Sequence, residues 1–457
     1  MKRWTLSDLK AALSCRTELK AWTITTEALK RRERYFMAEE KKPLLDQDRT
    51  TEAYTTHIRI AVRKHDADRQ GEIHQKLFHD LPLEKQLDEA ISAALQTDHE
   101  SWDYPEKQPS SIEMPQTADP EISEDLDRAA DRITARIHTA IAMTSESLFN
   151  SAELFVSNHD FEVQSSNGFS HRYAQSRIYL EAAFSYAEKN EQGETQSDEF
   201  LTTAWAVDSD SLQVEKLFHE SAQAARHSLA VRKPTPGRFH VVVDASVLAM
   251  LLHGQIKQLT AVNRYNHLPF LETGSELIPD LTGDALTVTL DPGLRYGADA
   301  GQFSDLGVAQ HPIRLIEKNK IVASIANPQF AQYEDLPVTP TRGDLVVESG
   351  TSSLQELLGS YDQVLEILLF SSLFPDSNRG TFSSEIRLAR LHDRKTGAIT
   401  YIKGGSLSGS IRQNFKGLRL SKERTRHVHF DSERDDAGGQ GYQGPAYALL
   451  SDVSVAG

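Results

Sequence analysis

The amino-acid sequence predicts an α+β protein of two domains, an N-terminal sheet packed with helices followed by a mainly-β C-terminal domain. With 457 residues, the chain is longer than one ordinary hydrophobic core supports. Long strand-like runs alternate with amphipathic helices up to residue 233, whereas short strands separated by Gly, Asn, Asp and Pro follow the Pro-Thr-Pro-Gly breaker at residues 234–237. We therefore expect domains at residues 1–233 and 234–457.

Capping and turn residues, strand-type runs and helical spacing predict the elements of the first domain. Ser123 is the expected cap of its central helix, Asn167-Gly168 is the expected hairpin turn, and the polar, proline-bearing residues 97–122 are expected to form a mobile loop. Runs rich in Thr, Tyr, Phe and Ile predict strands over residues 23–37, 54–63, 154–164 and 169–187. Apolar residues at helical spacing predict helices over residues 83–95, 123–141 and 211–231.

The second domain is predicted to contain short strands and few helices. A buried strand over residues 239–243 leads into an apolar helix over residues 247–259, and a further helix is expected over residues 353–358. Other strands are expected over residues 285–290, 313–326, 365–370, 385–392, 398–407 and 446–455.

Charge and composition exclude several classes of function. A net charge of −16 disfavours nucleic acids and anionic membranes, because binding to either depends on Lys and Arg. The basic residues 412–426 are followed by an acidic run at residues 431–436. No apolar signal region follows Lys2 and Arg3, and no apolar run approaches the roughly 20 residues of a membrane helix. The single cysteine, Cys15, fits a reducing compartment and is given no catalytic role, so we expect a cytoplasmic protein.

Two histidine pairs are candidate metal ligands. His219 and His227 lie eight residues apart on a predicted helix, or about 12 Å along its axis, so the pair cannot chelate one metal ion. His427 and His429 alternate on a predicted strand and share a face, but no Cys, Asp or Glu at a suitable spacing completes a ligand set. Solvated histidines are the commoner outcome for both pairs.

A glycine-rich stretch, Gly404, Gly405, Ser406, Ser408 and Gly409, lies late in the chain. It follows a strand and carries no Walker lysine, so it does not predict a phosphate loop, and the chain contains no Gly-x-Ser-x-Gly elbow. Glycines in strands let another backbone approach closely. We expect this stretch to bind a peptide by pairing with an extended segment.

Several motifs follow one another over roughly 220 residues of the C-terminal half: PTPGRFHVVVD at 234–244, VLAMLLH at 247–253, DLGV at 305–308, RLIE at 314–317, TFSSEIR at 381–387, IKGGSLSGS at 402–410 and the terminal residues 444–457. In this order they resemble the TldD/PmbA family, peptidase-related proteins also described as modulators of DNA gyrase. Residues 1–120 match that family only in general order. The resemblance implies a TldD/PmbA-like fold.

The resemblance also implies where catalysis would lie. Catalytic family members carry His-Glu-x-x-x-His on the helix after the VVLD-type strand, and a late cysteine ligand. Here that window, residues 253–258, reads His-Gly-Gln-Ile-Lys-Gln. His253 remains, Gly254 replaces the general base, Gln258 replaces the second ligand, and the only cysteine is Cys15. Zinc peptidase chemistry needs a metal-bound water and a carboxylate that accepts its proton, so we expect no catalytic and no metal-binding residue in this chain.

The resemblance therefore points to the TldE/PmbA branch, whose members pair with a TldD-like catalytic subunit that carries the zinc. We expect this chain to be inert alone and to form a heterodimer that encloses a peptide-degrading chamber. Two alternatives stay open. One is a homodimeric peptide-binding or adaptor protein without activity, and the other is a stand-alone peptidase that uses His253, His427 and His429.

Overall fold

A computed structural model describes residues 4–39, 42–144, 147–189, 192–229, 231–430 and 438–457. The predicted α+β fold class is confirmed: a first part of long strands and helices precedes a second part of mostly short strands. Residues 1–3, residue 230 and the acidic run at 431–436 lie outside the described residues. No helix in the described ranges is long and apolar enough to cross a membrane.

The first part contains one antiparallel sheet of seven strands in the order β4-β3-β2-β1-β5-β6-β7. Helices cover one of its faces and bury two apolar clusters there. Its elements are α1 Leu6–Ser14, β1 Leu19–Glu39, β2 Lys42–Arg63, β3 Arg69–Leu77, α2 Leu83–Gln96, β4 His99–Glu100, α3 Pro120–Glu124, α4 Leu126–Met143, β5 Leu148–Ser165, β6 Ser170–Lys189, β7 Thr195–Ala206 and α5 Val214–His227.

The second part contains a six-stranded and a nine-stranded sheet, which share one large apolar core. Its elements are β8 Val231–Arg232, β9 Gly237–Asp244, α6 Ala245–Ile256, α7 Ala261–Tyr265, β10 Val288–Asp291, β11 Ile313–Glu317, β12 Lys320–Ile321, α8 Pro328–Tyr333, β13 Asp344–Val347, α9 Leu354–Leu358, β14 Gln363–Phe370, β15 Phe374–Asp376, β16 Thr381–Asp393, β17 Ile399–Ile402, β18 Ser406–Ser410, α10 Ile411–Asn414, β19 Arg419–Leu420, β20 Arg424–His429, β21 Gln440–Pro445 and β22 Tyr447–Ala456. Strand β8 joins the nine-stranded sheet although it precedes residue 233, and the domain limits themselves stay a prediction.

Three details differ from expectation. The carboxylate of Asp125, not the side chain of Ser123, caps α4 by accepting the Arg128 N–H at 3.0 Å, because Pro120 starts a separate short helix that contains Ser123. The predicted helix over residues 211–231 ends at His227. The predicted strands over residues 313–326 and 398–407 are each interrupted by a turn, the second at Gly404 and Gly405.

The predicted loop over residues 97–122 has no helix or strand between residues 101 and 119. It is nevertheless anchored, because the Trp102 side chain is only 1% exposed and Lys20 donates to the Trp102 carbonyl at 2.6 Å. The Trp102 indole N–H donates to the carboxylate of Glu72 on β3 at 2.5 Å. The mobility of this segment stays a prediction.

Candidate functional site

Helix α6 lies between the two sheets of the second part. It carries most of the degenerate window, residues 253–258, which corresponds to His-Glu-x-x-x-His in catalytic family members. Asp244 starts the helix by accepting hydrogen bonds from the Val247 N–H at 3.1 Å and the Ser246 hydroxyl at 2.7 Å. The leucines of the helix are buried in the shared core. Strand β9 and this cap therefore fix the position of the window at the C-terminal end of the helix.

His253, the residue that matches the first family ligand, is held by the backbone of β21. Its Nε2 lies 3.2 Å from the Gly441 carbonyl oxygen. Because a carbonyl can only accept, this nitrogen carries the hydrogen and has no lone pair free for a metal ion. Burial lowers the pKa of His253 to about 4, and the nearby charges of His427, Lys257 and His429 act in the same direction.

Gly254 and Gln258 are fitted to the turn between β15 and β16. A Cβ atom at Gly254 would lie 3.2 Å from the Cβ of Pro375, so a glutamate there would press on β15. The Gln258 amide donates to the carbonyls of Ser377 and Asn378 in that turn, and its oxygen accepts from the Gln255 amide at 3.0 Å. The position of the second ligand thus holds a buried structural contact.

The structure brings His253 close to the strand pair of His427 and His429. Strand β20 pairs with β21, and Val428 faces Gly441, the residue that binds His253. Burial lowers the pKa of His427, and the charge of Asp244 opposes this shift. No group of three His, Cys, Asp or Glu within the described ranges is arranged to hold a metal ion. The residues of the window therefore do not fit the zinc site of catalytic family members.

His219 and His227 lie on α5, at the wall of a cavity of about 550 Å³ that His427 also lines. His227 stacks on Tyr401, with ring centroids 4.1 Å apart and 9° between the ring planes. The eight-residue spacing predicted that this pair cannot chelate a metal ion. The aromatic stacking gives His227 a packing role instead.

The glycine-rich stretch turns between two strands and then runs through the middle of a sheet. Gly404 and Gly405 have φ of 78° and 71°, in the left-handed region, and a Cβ at Gly405 would lie 2.3 Å from the Ala456 carbonyl oxygen. Both edges of β18 are already paired, by β16 and by β22. The expected pairing of a peptide with the backbone of Ser406 and Ser408 therefore has no free edge.

Ser408 and Gly409 also line an open groove of about 790 Å³. Its wall includes Phe374, which is 70% exposed, and the ion pair of Arg238 and Asp452 at 2.7 Å. Peptide binding by the glycine-rich stretch stays a prediction, and side chains in this groove are its available contacts.

The residues that contact the window and occupy its polar groups could not be identified from the sequence. Pro375, Ser377 and Gly441 are separated from α6 by more than a hundred residues in the sequence. The Gln at position 258 was the available signal, because an amide suits a turn with unpaired carbonyls.

Comparison with known proteins supports the resemblance. Residues 236–457 match the family profile of the PmbA/TldA metallopeptidase C-terminal domain. Among curated proteins, none matches this chain in sequence.

Three solved structures share the fold over nearly the whole chain. TldE from Thermococcus kodakarensis has a TM-score of 0.74 and 15% identity, with 98% of this chain and 100% of that chain covered. A protein described as a modulator of DNA gyrase from Bacteroides thetaiotaomicron has a TM-score of 0.73 and 16% identity, with 99% of each chain covered. A second such modulator, from Thermotoga maritima, has a TM-score of 0.72 and 15% identity, with 99% and 100% covered. Residues 236–457 are therefore a C-terminal domain of the PmbA/TldA metallopeptidase type, and the whole chain has a TldD/PmbA-like fold.

Proposed function

We propose that this chain is the metal-free partner subunit of a heterodimeric TldD/TldE-type zinc metallopeptidase. In this role it helps to shape the peptide-binding chamber for proteolysis or peptide maturation. The observation that carries the proposal is the bonding of Gln258, whose amide donates to the turn at Ser377 and Asn378 where the second metal ligand would lie. The catalytic zinc then belongs to the partner.

The neighbours of Gln258 support the same assignment. His253 directs its Nε2 hydrogen at a carbonyl, and Gly254 is packed against Pro375. Lys257 adds a positive charge beside the imidazole, which opposes the binding of a cation. A chain with this window lacks the base, the second ligand and the late cysteine ligand of a zinc peptidase. We also propose that this chain works in the cytoplasm. Its net charge of −16 supports the further proposal that it binds neither nucleic acids nor anionic membranes.

The test is co-expression with a family member that carries His-Glu-x-x-x-His. We expect the two chains to co-purify as a heterodimer that cleaves unfolded peptides, with activity lost when this chain is omitted. A matched preparation in which the motif glutamate of the catalytic chain is changed to Gln controls for contaminating peptidases. Independent purification of the two chains, with full activity in the catalytic chain alone, would reject the proposal.

A stand-alone peptidase is the second candidate, because the charges of His427 and His429 act on His253, although the described residues contain no group of three arranged to hold a metal ion. It requires a metal ion bound by the isolated chain and cleavage that a chelator stops. A His427→Ala/His429→Ala variant separates the two functions: it abolishes activity of the isolated chain under the second candidate and leaves no such activity to lose under the first. A homodimer without activity, alone and with the catalytic homologue, would indicate the adaptor function instead.

A further inference from the structure

A row of aromatic side chains crosses four neighbouring strands of the seven-stranded sheet, on the face that the helices do not cover. Phe155 lies directly opposite Tyr179, and Tyr179 directly opposite Trp205, so the three share one face. Ring centroids are 5.6 Å apart from Tyr35 to Phe155, 5.6 Å from Phe155 to Tyr179, and 4.8 Å from Tyr179 to Trp205. All four residues of this aromatic row are partly exposed.

The aromatic row leads toward the degenerate window. The Trp205 ring lies 6.3 Å from the ring of His429, and His429 is one of the charged neighbours of His253. A chain segment lying along the row would therefore be directed from the hairpin of β1 and β2 toward the C-terminal end of α6.

Each end of the row already holds an arginine of this chain. At one end, the Arg49 guanidinium lies 5.0 Å from the centroid of Tyr35, donates to the Tyr35 hydroxyl at 2.6 Å and pairs with Glu33 at 2.5 Å. At the other end, the Arg177 guanidinium lies 4.7 Å from the centroid of Phe430, which contacts Trp205. Both ends thus place a cation over an aromatic face, and at the Tyr35 end a carboxylate lies beside the cation.

The middle of the row has the carboxylates without the cation. Glu153 and Glu181 lie directly opposite each other on β5 and β6, and like charges in this arrangement repel. Burial raises the pKa of Glu153 and the charge of Glu181 raises it further, whereas the charge of Arg49 at the Tyr35 end acts in the opposite direction. Glu181 accepts the Tyr179 hydroxyl at 2.7 Å, but neither glutamate forms an ion pair within the ranges that the structure describes.

We infer that the middle of the aromatic row binds a lysine or arginine side chain of an extended peptide, held between Glu153 and Glu181 and over the rings of Phe155 and Tyr179. The cation would neutralise the facing carboxylates and complete the series that Arg49 and Arg177 begin. The peptide class of the ligand rests on the proposed function. Two facing carboxylates repel phosphate, so a nucleic acid is excluded by the same charges.

The test measures binding of a fluorescein-labelled Gly-Ser peptide with several lysines to the isolated full chain, by fluorescence anisotropy. Changing Glu153→Gln/Glu181→Gln keeps the side-chain shapes and removes both charges. We expect the Kd of the lysine peptide to rise about 5- to 10-fold, the loss expected for two part-exposed charge contacts. The matched control, Glu52→Gln/Glu188→Gln, removes two exposed charges from the same sheet outside the row, and should leave the Kd within about twofold.

Two further arms keep the result specific. A peptide with glutamate in place of lysine should not bind, and raising the ionic strength from about 0.01 M to about 1 M should weaken the lysine peptide on the parent far more than on the Glu153→Gln/Glu181→Gln variant. Equal binding of the two peptides, or an unchanged Kd in that variant, would overturn the inference. Because this assay needs no partner subunit, a loss of lysine-peptide binding is separable from a failure of the heterodimer to form.

Discussion

Two polar regions of this chain, the window on α6 and the aromatic row on the seven-stranded sheet, differ in how their side chains are used. In the window, His253 and Gln258 donate to backbone carbonyls, and Gly254 is packed against Pro375. In the aromatic row, Glu153 and Glu181 face each other without an ion pair among the described residues.

This difference distinguishes polar groups that are hydrogen-bonded within the chain from polar groups that we propose bind a ligand. A buried polar group with a partner inside the chain contributes to stability and is unavailable for chemistry. A pair of like charges directly opposite each other on neighbouring strands lowers stability. The window accordingly contributes contacts to the packing of the second part, and the row is the region where we propose that a ligand binds.

The largest effect is expected from restoring the family motif in the window. Gly254→Glu/Gln258→His should lower the free energy of unfolding by about 3 to 4 kcal/mol, because a side chain is forced against Pro375 and two turn carbonyls lose their donor. Urea denaturation measures this change, with Lys257→Gln on the same turn as the control. A stable double variant that binds stoichiometric zinc would contradict the structural role of the window, because its residues would then still be available for metal binding.

The pH dependence of stability should reveal the buried His253. Its pKa is about 4 in the folded chain against an ordinary 6.5, so the unfolded chain binds more protons between these values. The contribution of His253 is fully present above about pH 6.5 and is lost as the pH falls to about 4, by about 3 kcal/mol. Denaturation across this pH range should show a smaller acid loss in His253→Gln, while the exposed His219→Gln should behave like the parent.

Substitutions at two neighbouring glycines distinguish the free-energy cost of an unfavourable backbone conformation from the cost of a steric contact. Gly404→Ala places a side chain in open space at positive φ and should cost about 1 kcal/mol. Gly405→Ala meets the Ala456 carbonyl as well and should cost about 2 kcal/mol more. Thermal denaturation of the two variants gives the difference, and equal melting temperatures would show that the close contact at Gly405 carries no cost.

The smallest effect is expected in the aromatic row. Glu153→Gln/Glu181→Gln should raise the free energy of unfolding by about 0.5 kcal/mol, because the facing charges no longer repel. The same variant weakens the lysine peptide, so stability and binding should change in opposite directions. Urea denaturation and the anisotropy assay on the same variant measure these two changes. A loss of stability would mean that the glutamates support the fold.

Much of the fold was predictable from local patterns. The residue types of β1, β2, β5 and β6 predicted strands, and Asn167-Gly168 predicted a turn in which Gly168 adopts φ of 83°. The cap of α4 was missed because Ser123 and Asp125 are both suitable capping residues, and only the break between α3 and α4 selects Asp125.

The site was predictable only in part. The sequence located the window at residues 253–258, because a motif on one helix is local. The turn that occupies Gln258 and the carbonyl that binds His253 come from distant residues, and the tertiary fold alone brings them together. The aromatic row depends on the register of four strands, which no spacing in the sequence specifies.

The most direct test of the central claim is the zinc content of the isolated chain and of the chain reconstituted with a His-Glu-x-x-x-His homologue. We predict no stoichiometric zinc and no peptide cleavage for the isolated chain, and one zinc per heterodimer together with activity for the pair. One zinc per isolated chain with chelator-sensitive cleavage would contradict the account.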